Sequence, residues 1–252
     1  LGQGFAAAPH AVLALDYDGT LADLTPVPDA ARPSEELRGL LRGLGSLSGV
    51  EVVVISGRPH ETLEAWLGDL PVHLVGEHGY FYRRRGGTTW EAALPHVDLA
   101  WREPVHRLME ESKARTRGAW IESKPVSLVW HYRKAEPGFG AWMARELEEH
   151  VKEYLGARPV AVMPGNKVLE VRPAGYDKGK ALVKLMGTLG PQEFVLAVGD
   201  DRTDEDMFAA LPPDAVTIKV GPASAETHAR WRVASTGAVY ALLRHLLTAR
   251  GG

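Results

Sequence analysis

Asp16 and Asp18 stand two positions apart in Asp16-Tyr17-Asp18-Gly19-Thr20-Leu21, directly after the apolar run Ala11-Val12-Leu13-Ala14-Leu15. Side chains alternate along extended backbone, so both carboxylates leave a buried strand on the same side and repel one another unless a cation or a proton relieves them. The pair asks for a metal. A carboxylate at the carboxyl end of a strand can attack phosphorus to give an aspartyl-phosphate, which makes Asp16 the candidate nucleophile. Asp18 can protonate the leaving oxygen and then take a proton from water, acting as acid and base in turn. Gly19 lets the backbone turn sharply, and Thr20 can donate a hydrogen bond to the site. A helix-capping Asp-Gly turn accounts for the glycine but poorly for two acids after an apolar strand.

Three further segments carry compatible chemistry. In Val52-Val53-Val54-Ile55-Ser56-Gly57-Arg58 the Ser56 hydroxyl and the amides beside Gly57 suit a transferring phosphoryl oxygen, although Ser56 could equally cap the following helix. Lys178, in Gly175-Tyr176-Asp177-Lys178-Gly179, opens a helix where a cation is disfavoured. It makes sense if it neutralises Asp16 and a bound phosphate; a solvated lysine is the plain alternative. Val198-Gly199-Asp200-Asp201-Arg202-Thr203-Asp204-Glu205-Asp206 masses acids after an apolar strand, either as an acidic helix start or as oxygen ligands. Mg²⁺ usually takes one or two protein carboxylates plus substrate phosphate, and Asp16 and Asp200 can supply those two. The Asp18 carbonyl completes the set, with Asp204 or Asp201 outside it.

These segments need strands and helices to carry them. The pattern predicts strands at Ala11–Leu15, Val50–Ile55, Val72–Val75, Phe194–Val198, Val216–Val220 and Arg232–Ala234, several of them continuously apolar, as strands covered on both faces are. Helical stripes lie between them: Leu37, Leu40, Leu41 and Leu44 after a Ser34 cap; Leu63, Trp66, Leu67 and Leu70; Ala181, Leu182, Leu185, Met186 and Leu189; and Val239, Leu242, Leu243 and Leu246. Alternation of strand and helix predicts an α/β fold with a doubly wound parallel sheet.

The middle of the chain reads differently. It predicts a helix from about 97 to 113, strands at Gly118–Lys124 and Val126–Arg133, a helix over Phe139–Leu155, and a hairpin of Arg158–Met163 with Lys167–Arg172 over Pro164-Gly165-Asn166. This is an inserted α+β domain at about 101–173, within a core formed by 1–100 and 174–252. Leu128, Trp130 and Tyr132 face one way along its second strand, and Ser127, Val129, His131 and Arg133 face the other. Trp120, Trp130 and Tyr132 suit either packing or stacking on a sugar.

Composition narrows the field. A formal charge of -3 provides no bulk attraction to nucleic acid or an anionic membrane, and Arg83-Arg84-Arg85 before Gly86-Gly87 reads as a solvated hairpin tip. The absence of cysteine excludes disulfides and thiolate chemistry and fits a cytoplasmic protein. No apolar run approaches membrane-spanning length, and LGQGFAAAPH lacks the basic region of a signal peptide.

Nucleophile, hydroxyl, lysine and acidic loop, in this chain order, resemble the haloacid dehalogenase superfamily. The resemblance covers about 10–100 and 174–250. It implies a Rossmann-like core, Mg²⁺-dependent phosphoryl transfer through phospho-Asp16, and phosphate held by Gly19, Thr20, Ser56, Gly57 and Lys178. The inserted domain is similar to the C2-type caps that close over such sites. A narrower resemblance, to trehalose-6-phosphate phosphatases, rests on Gly76-Glu77-His78-Gly79, Ile121-Glu122-Ser123-Lys124, Trp130-His131-Tyr132-Arg133, Leu169-Glu170-Val171-Arg172-Pro173 and the GDDRTDEDMF segment. On matched positions it implicates Glu122, Lys124 and Glu170 in holding the sugar, with Asn166, His131 and Arg133 near them. Arg58, Glu77 and His78 contribute from the core side. The implied substrate is a sugar phosphate, and the family implies a functional link to a trehalose-6-phosphate synthase. Another sugar-phosphate ester, a mutase reaction and a silent sugar-phosphate sensor remain the alternatives.

Overall fold

Five of the six predicted strands form buried on both faces, and the sixth, near Arg232, forms an exposed edge strand with Trp231 61% exposed. The computed structural model describes residues 1–25, 28–94, 96–222 and 226–251. Contacts divide the chain into two compact units, Leu1–Ala93 with Tyr176–Gly252, and Leu94–Gly175. The breaks fall a few residues outside the expected 101 and 173.

In the first unit the strands are β1 (Ala11–Asp16), β2 (Val50–Ile55), β3 (His73–Gly76), β4 (Phe81–Arg83) and β5 (Glu91–Ala92), and, after the second unit's β6 (Trp120–Ser123), β7 (Leu128–His131), β8 (Val160–Gly165) and β9 (Val168–Pro173), β10 (Phe194–Gly199), β11 (Val216–Val220) and β12 (Trp231–Val233). The helices are α1 (Gly2–Ala7), α2 (Glu35–Ser46), α3 (His60–Leu67), α4 (Arg102–Arg115), α5 (Pro137–Leu155), α6 (Lys178–Leu189), α7 (Thr203–Ala210) and α8 (Thr236–Gly251).

The large sheet runs β12-β11-β10-β1-β2-β3-β4-β5. It is parallel from β12 to β3, and β4 and β5 extend it antiparallel. The expected all-parallel sheet is therefore mixed at one edge, where strands of three and two residues are too short to announce themselves by apolar periodicity. Helices cover both faces. Leu37, Leu41, Leu63, Leu67, Leu243 and Leu246 pack on Leu13, Leu15, Val52 and Val54, while Leu182, Leu185, Met207 and Phe208 pack on Val12, Ala14, Val53 and Ile55. Burying one such leucine contributes about 1.5–3 kcal/mol relative to leaving it exposed. Ser34 caps α2, its hydroxyl accepting from the Leu37 amide. The Leu189 side chain of the predicted α6 stripe lies outside the described residues.

The second unit is an antiparallel sheet, β6-β7-β9-β8, packed by α4 and α5. Trp101, Trp130, Met143, Leu147, Leu169 and Val171 lie in its core. Pro164 is in edge strand β8, where a missing N–H is tolerated, and the turn shrinks to Asn166-Lys167 with Lys167 at φ +64°. A second correction concerns the arginine run. Arg83 is 3% exposed, with its guanidinium donating to Glu64 at 2.7 Å and to the Gly68 carbonyl at 3.0 Å. Arg84 is exposed as expected, whereas Arg85 turns its guanidinium back to donate to the Gly45 carbonyl and to Glu51, each at 3.1 Å. Among the described residues no helix is long and apolar enough to cross a membrane.

Candidate active site

Parallel strands β1, β2 and β10 end together, and their carboxyl ends gather the chemistry. Asp16 closes β1 at 4% exposure. Lys178 begins α6 and reaches it, donating from Nζ to Asp16 Oδ1 at 2.6 Å and to Asp204 Oδ1 at 2.8 Å. The other oxygen of Asp204 accepts the amides of Asp200 at 2.9 Å and Asp201 at 3.0 Å. Asp204 is thus spoken for on both sides and braces the loop after β10. Asp201 turns away, its Oδ1 accepting from the Thr203 amide and hydroxyl at 2.6 and 2.7 Å.

Electrostatics in this nest are lopsided. Burial, then the charge of Asp204, pushes the Asp16 carboxyl well above its usual range, against the pull of Lys178. Burial and the Asp204 and Asp201 carboxylates push Asp200 up to about 7. One cation is short of what three acids want. Asp16 Oδ2 is buried without a hydrogen-bond partner, and oxygens of Asp16, Asp200 and Asp204 lie within 4.8 Å of one another. Hard oxygen donors with surplus negative charge fit a divalent cation.

Gly19 makes the close approach possible. Its φ is +85°, and a Cβ there would lie 2.1 Å from Asp200 Oδ2. Thr20 is fully buried, and its hydroxyl has no partner. Asp18, by contrast, is engaged. Arg58 grips it bidentately, Nε to Oδ2 at 2.8 Å and Nη2 to Oδ1 at 2.6 Å, and its guanidinium lies 4.6 Å from the Trp66 ring centre. Arg58, expected on the substrate, rests on the candidate acid and base.

Ser56 directly follows β2 and is fully buried, and its hydroxyl accepts from the Arg58 amide at 3.1 Å. The helix-capping alternative does not hold, because α3 begins at His60 with Pro59 in the cap position, and Ser56 instead braces the turn that leaves the strand. Gly57 leaves room for His78, whose Cε1 would lie 2.4 Å from a Cβ at that position. Glu77 and His78 have φ values of 49° and 57°, an uncommon conformation for residues with side chains. Their amides are pinned to the carbonyls of Arg58 at 3.0 Å and Ser56 at 2.9 Å, so the strained segment is built against the second motif.

Lys219 escaped the sequence reading. It is 6% exposed on β11 and donates to the Asp201 carbonyl at 2.7 Å and to Glu205 at 2.9 Å, holding the acidic loop from behind. A lysine inside the strand Val-Thr-Ile-Lys-Val was the available signal, because burial of its charge demands a partner.

The second unit gathers some of its predicted residues and separates others. His131 Nε2 lies 2.9 Å from Glu122 Oε2. Burial raises the Glu122 carboxyl, but His131 and Lys124 outweigh it and hold the group below its usual value. Glu170 sits across β7, level with Val129 and so with Glu122. Arg133 and Asn166 lie instead beyond the opposite end of β6 from Lys124, where Arg133 donates to the Asn166 carbonyl at 3.1 Å.

Residues 14–237 match the protein family described as trehalose-phosphatase. This chain belongs to the trehalose-phosphatase family. It is 41% identical over 246 residues, 98% of its length, to a bifunctional trehalose-6-phosphate synthase/phosphatase of Thermoproteus tenax. It spans 33% of that relative's length and 26% of a 38%-identical trehalose-phosphatase of Schizosaccharomyces pombe. The C-terminal domain of a trehalose-6-phosphate phosphatase from C. albicans superposes with a TM-score of 0.90 at 31% identity, covering 98% of this chain and 95% of that one. A haloacid dehalogenase-like hydrolase from B. subtilis has the same α/β fold at a TM-score of 0.61 and 16% identity, over 93% of this chain and 99% of that one.

Proposed function

We propose that this member of the family hydrolyses trehalose 6-phosphate to trehalose and phosphate through an aspartyl-phosphate on Asp16. The observation that carries the reading is Asp16 itself: buried, held at Oδ1 by Lys178, with Oδ2 left unpartnered at the end of β1. In the first step Oδ2 attacks phosphorus, the bond to the sugar oxygen breaks, and that oxygen takes a proton from Asp18. In the second, water attacks the phosphorus of phospho-Asp16, Asp18 takes its proton, and Asp16 returns as a carboxylate. Lys178, Ser56, the Thr20 hydroxyl and the amides beside Gly57 stabilise the phosphoryl oxygens, while the Gly19 amide, donating to the Ala22 carbonyl at 2.7 Å, holds the turn that carries Thr20. Because Arg58 occupies both oxygens of Asp18, one of these bonds must loosen before Asp18 can exchange a proton.

The cation is proposed to be Mg²⁺, held by Asp16, Asp200 and the Asp18 carbonyl, with Asp204 and Asp201 behind them. When bound it supplies charge neutralisation on the phosphoryl group. Residues 94–175 act as the cap in this account, Glu122, Lys124, His131 and Glu170 sharing the sugar hydroxyls and Arg133 and Asn166 extending that surface. Glu77 and His78 contribute beside the second motif. The chain works in the cytoplasm alongside a trehalose-6-phosphate synthase, an activity that the Thermoproteus tenax relative's name joins to a phosphatase.

Phosphate release from trehalose 6-phosphate, sucrose 6-phosphate, glucose 6-phosphate and 4-nitrophenyl phosphate, with Mg²⁺ and then with EDTA, tests the assignment. It predicts an EDTA-sensitive preference for trehalose 6-phosphate. Equal, weak hydrolysis of the whole panel refutes the sugar, and binding without turnover refutes the chemistry.

A further inference from the structure

The sheet of residues 94–175 has two faces of opposite character. Ile121, Trp130, Leu169 and Val171 alternate onto the side that packs in the apolar core with α5 residues. Trp120, Glu122, His131 and Glu170 alternate onto the other. Of the aromatics that could either pack or stack, Trp130 is fully buried with Tyr132 against it, their ring centres 5.4 Å apart. Trp120 is different. It remains 38% exposed, and its indole lies parallel to the His131 imidazole at 3.8 Å with an interplanar angle of 0°.

That stack is rigid for a reason. Trp120 and His131 are directly opposite in the β6–β7 register, and His131 is fixed on its far side by Glu122 at 2.9 Å. Indole, imidazole and carboxylate therefore form one ledge, with Lys124 two residues from Glu122 along the chain and Glu170 level with Glu122 across β7. A pyranose ring has a C–H face, which an indole plane accepts, and a rim of hydroxyls, which carboxylates and an ammonium accept and donate to. A half-exposed tryptophan beside an acid–lysine–acid group offers both at once. A flat apolar surface also loses little entropy on binding, because Trp has few rotatable bonds and here is already stacked.

We propose that Trp120 is a sugar-stacking platform, a specificity residue that favours a phosphate ester carrying a pyranose ring over one that lacks it. This rests on the sugar-phosphate reading above and adds a residue to it. The interaction is made with the sugar, not with the phosphate, so it acts on binding of substrate and of the dephosphorylated product alike. Inhibition by trehalose consequently reads it without any contribution from the phosphoryl site.

The test compares the whole chain with its Trp120→Ala and Trp120→Phe variants. Inhibition by trehalose and by inorganic phosphate is measured against turnover of 4-nitrophenyl phosphate, together with kcat and KM for trehalose 6-phosphate. The alanine variant should raise the trehalose-to-phosphate Ki ratio about tenfold, the scale of one lost aromatic contact. Its loss on trehalose 6-phosphate should fall mainly in KM, and phenylalanine should restore most of it. An alanine variant that melts with the wild type and keeps its trehalose inhibition overturns the platform. So does a phenylalanine variant as impaired as alanine, because an aromatic face at this position would then be insufficient to hold the sugar. A wild type that neither prefers trehalose 6-phosphate nor is inhibited by trehalose refutes the sugar reading, and the platform with it.

Discussion

Replacing Lys178 by methionine keeps the length of the side chain, removes its charge, and strands two carboxylates. Lys178 lies 2.6 Å from Asp16 and 2.8 Å from Asp204, and the three side chains are 2%, 6% and 0% exposed. Taking one partner from a buried ion pair leaves an uncompensated charge, at a cost of about 3–5 kcal/mol. At about 2–4 °C per kcal/mol for a chain of this size, the melting temperature should fall by roughly 6–20 °C. The pH dependence has a definite sign. Burial and Asp204 already raise the Asp16 carboxyl, and Lys178 is what opposes them. Without Lys178 the folded state holds protons still more tightly than the unfolded chain, so the deficit is largest at neutral pH and shrinks as pH falls through the raised folded value. Melting curves recorded from about pH 8 down to about pH 5 read both effects. A methionine variant that melts within about 2 °C of the wild type at neutral pH would show that the stranded charges are not felt, and would refute the reasoning.

Gly19→Ala should lower phosphate release about hundredfold while circular dichroism stays native, because its Cβ would lie 2.1 Å from Asp200 Oδ2 and displace that carboxylate; full activity would contradict the close approach. His73 is 3% exposed, its Nδ1 accepts from the Arg85 amide at 3.2 Å, and Nε2 therefore donates to Glu51 at 2.8 Å. Burial holds the imidazole below its usual value despite Glu51, so the folded state binds fewer protons than the unfolded one between that lowered value and about 6.5. Its stabilisation is complete above that window and is lost as pH falls through it. His73→Gln should flatten the acid-side fall of the urea midpoint, and an unchanged slope would count against the buried neutral form.

Where side chains repeat with a clear period, sequence and structure agree closely. Strands β2 and β11 begin and end where the apolar runs do, and Ser34 caps α2. Periodicity says nothing where elements are short or where one residue settles the matter. Helix α1 was missed although Phe5 is fully buried edge-on to Phe194, ring centres 5.5 Å apart. The site divides in the same way. Residue types at strand ends identified Asp16, Ser56, Lys178 and the acidic loop as neighbours, because strand order in an α/β sheet brings carboxyl ends together. Pairings across long separations were not legible: Arg58 on Asp18, Lys219 on the Asp201 carbonyl and Trp120 on His131 depend on rotamers and registers that no spacing encodes. The roles of Asp201 and Asp204 also needed coordinates, since only geometry shows one turned to Thr203 and the other holding Lys178 and two amides.

The central claim is that Asp16 carries the phosphoryl group. Acid quenching during steady-state turnover of trehalose 6-phosphate, followed by peptide mass mapping, tests it directly. The account predicts one phosphoryl group on the peptide containing Asp16, absent from the Asp16→Asn variant, which should fold and release no phosphate. Steady phosphate release from that variant, or a phosphoryl group found on another residue, would contradict it.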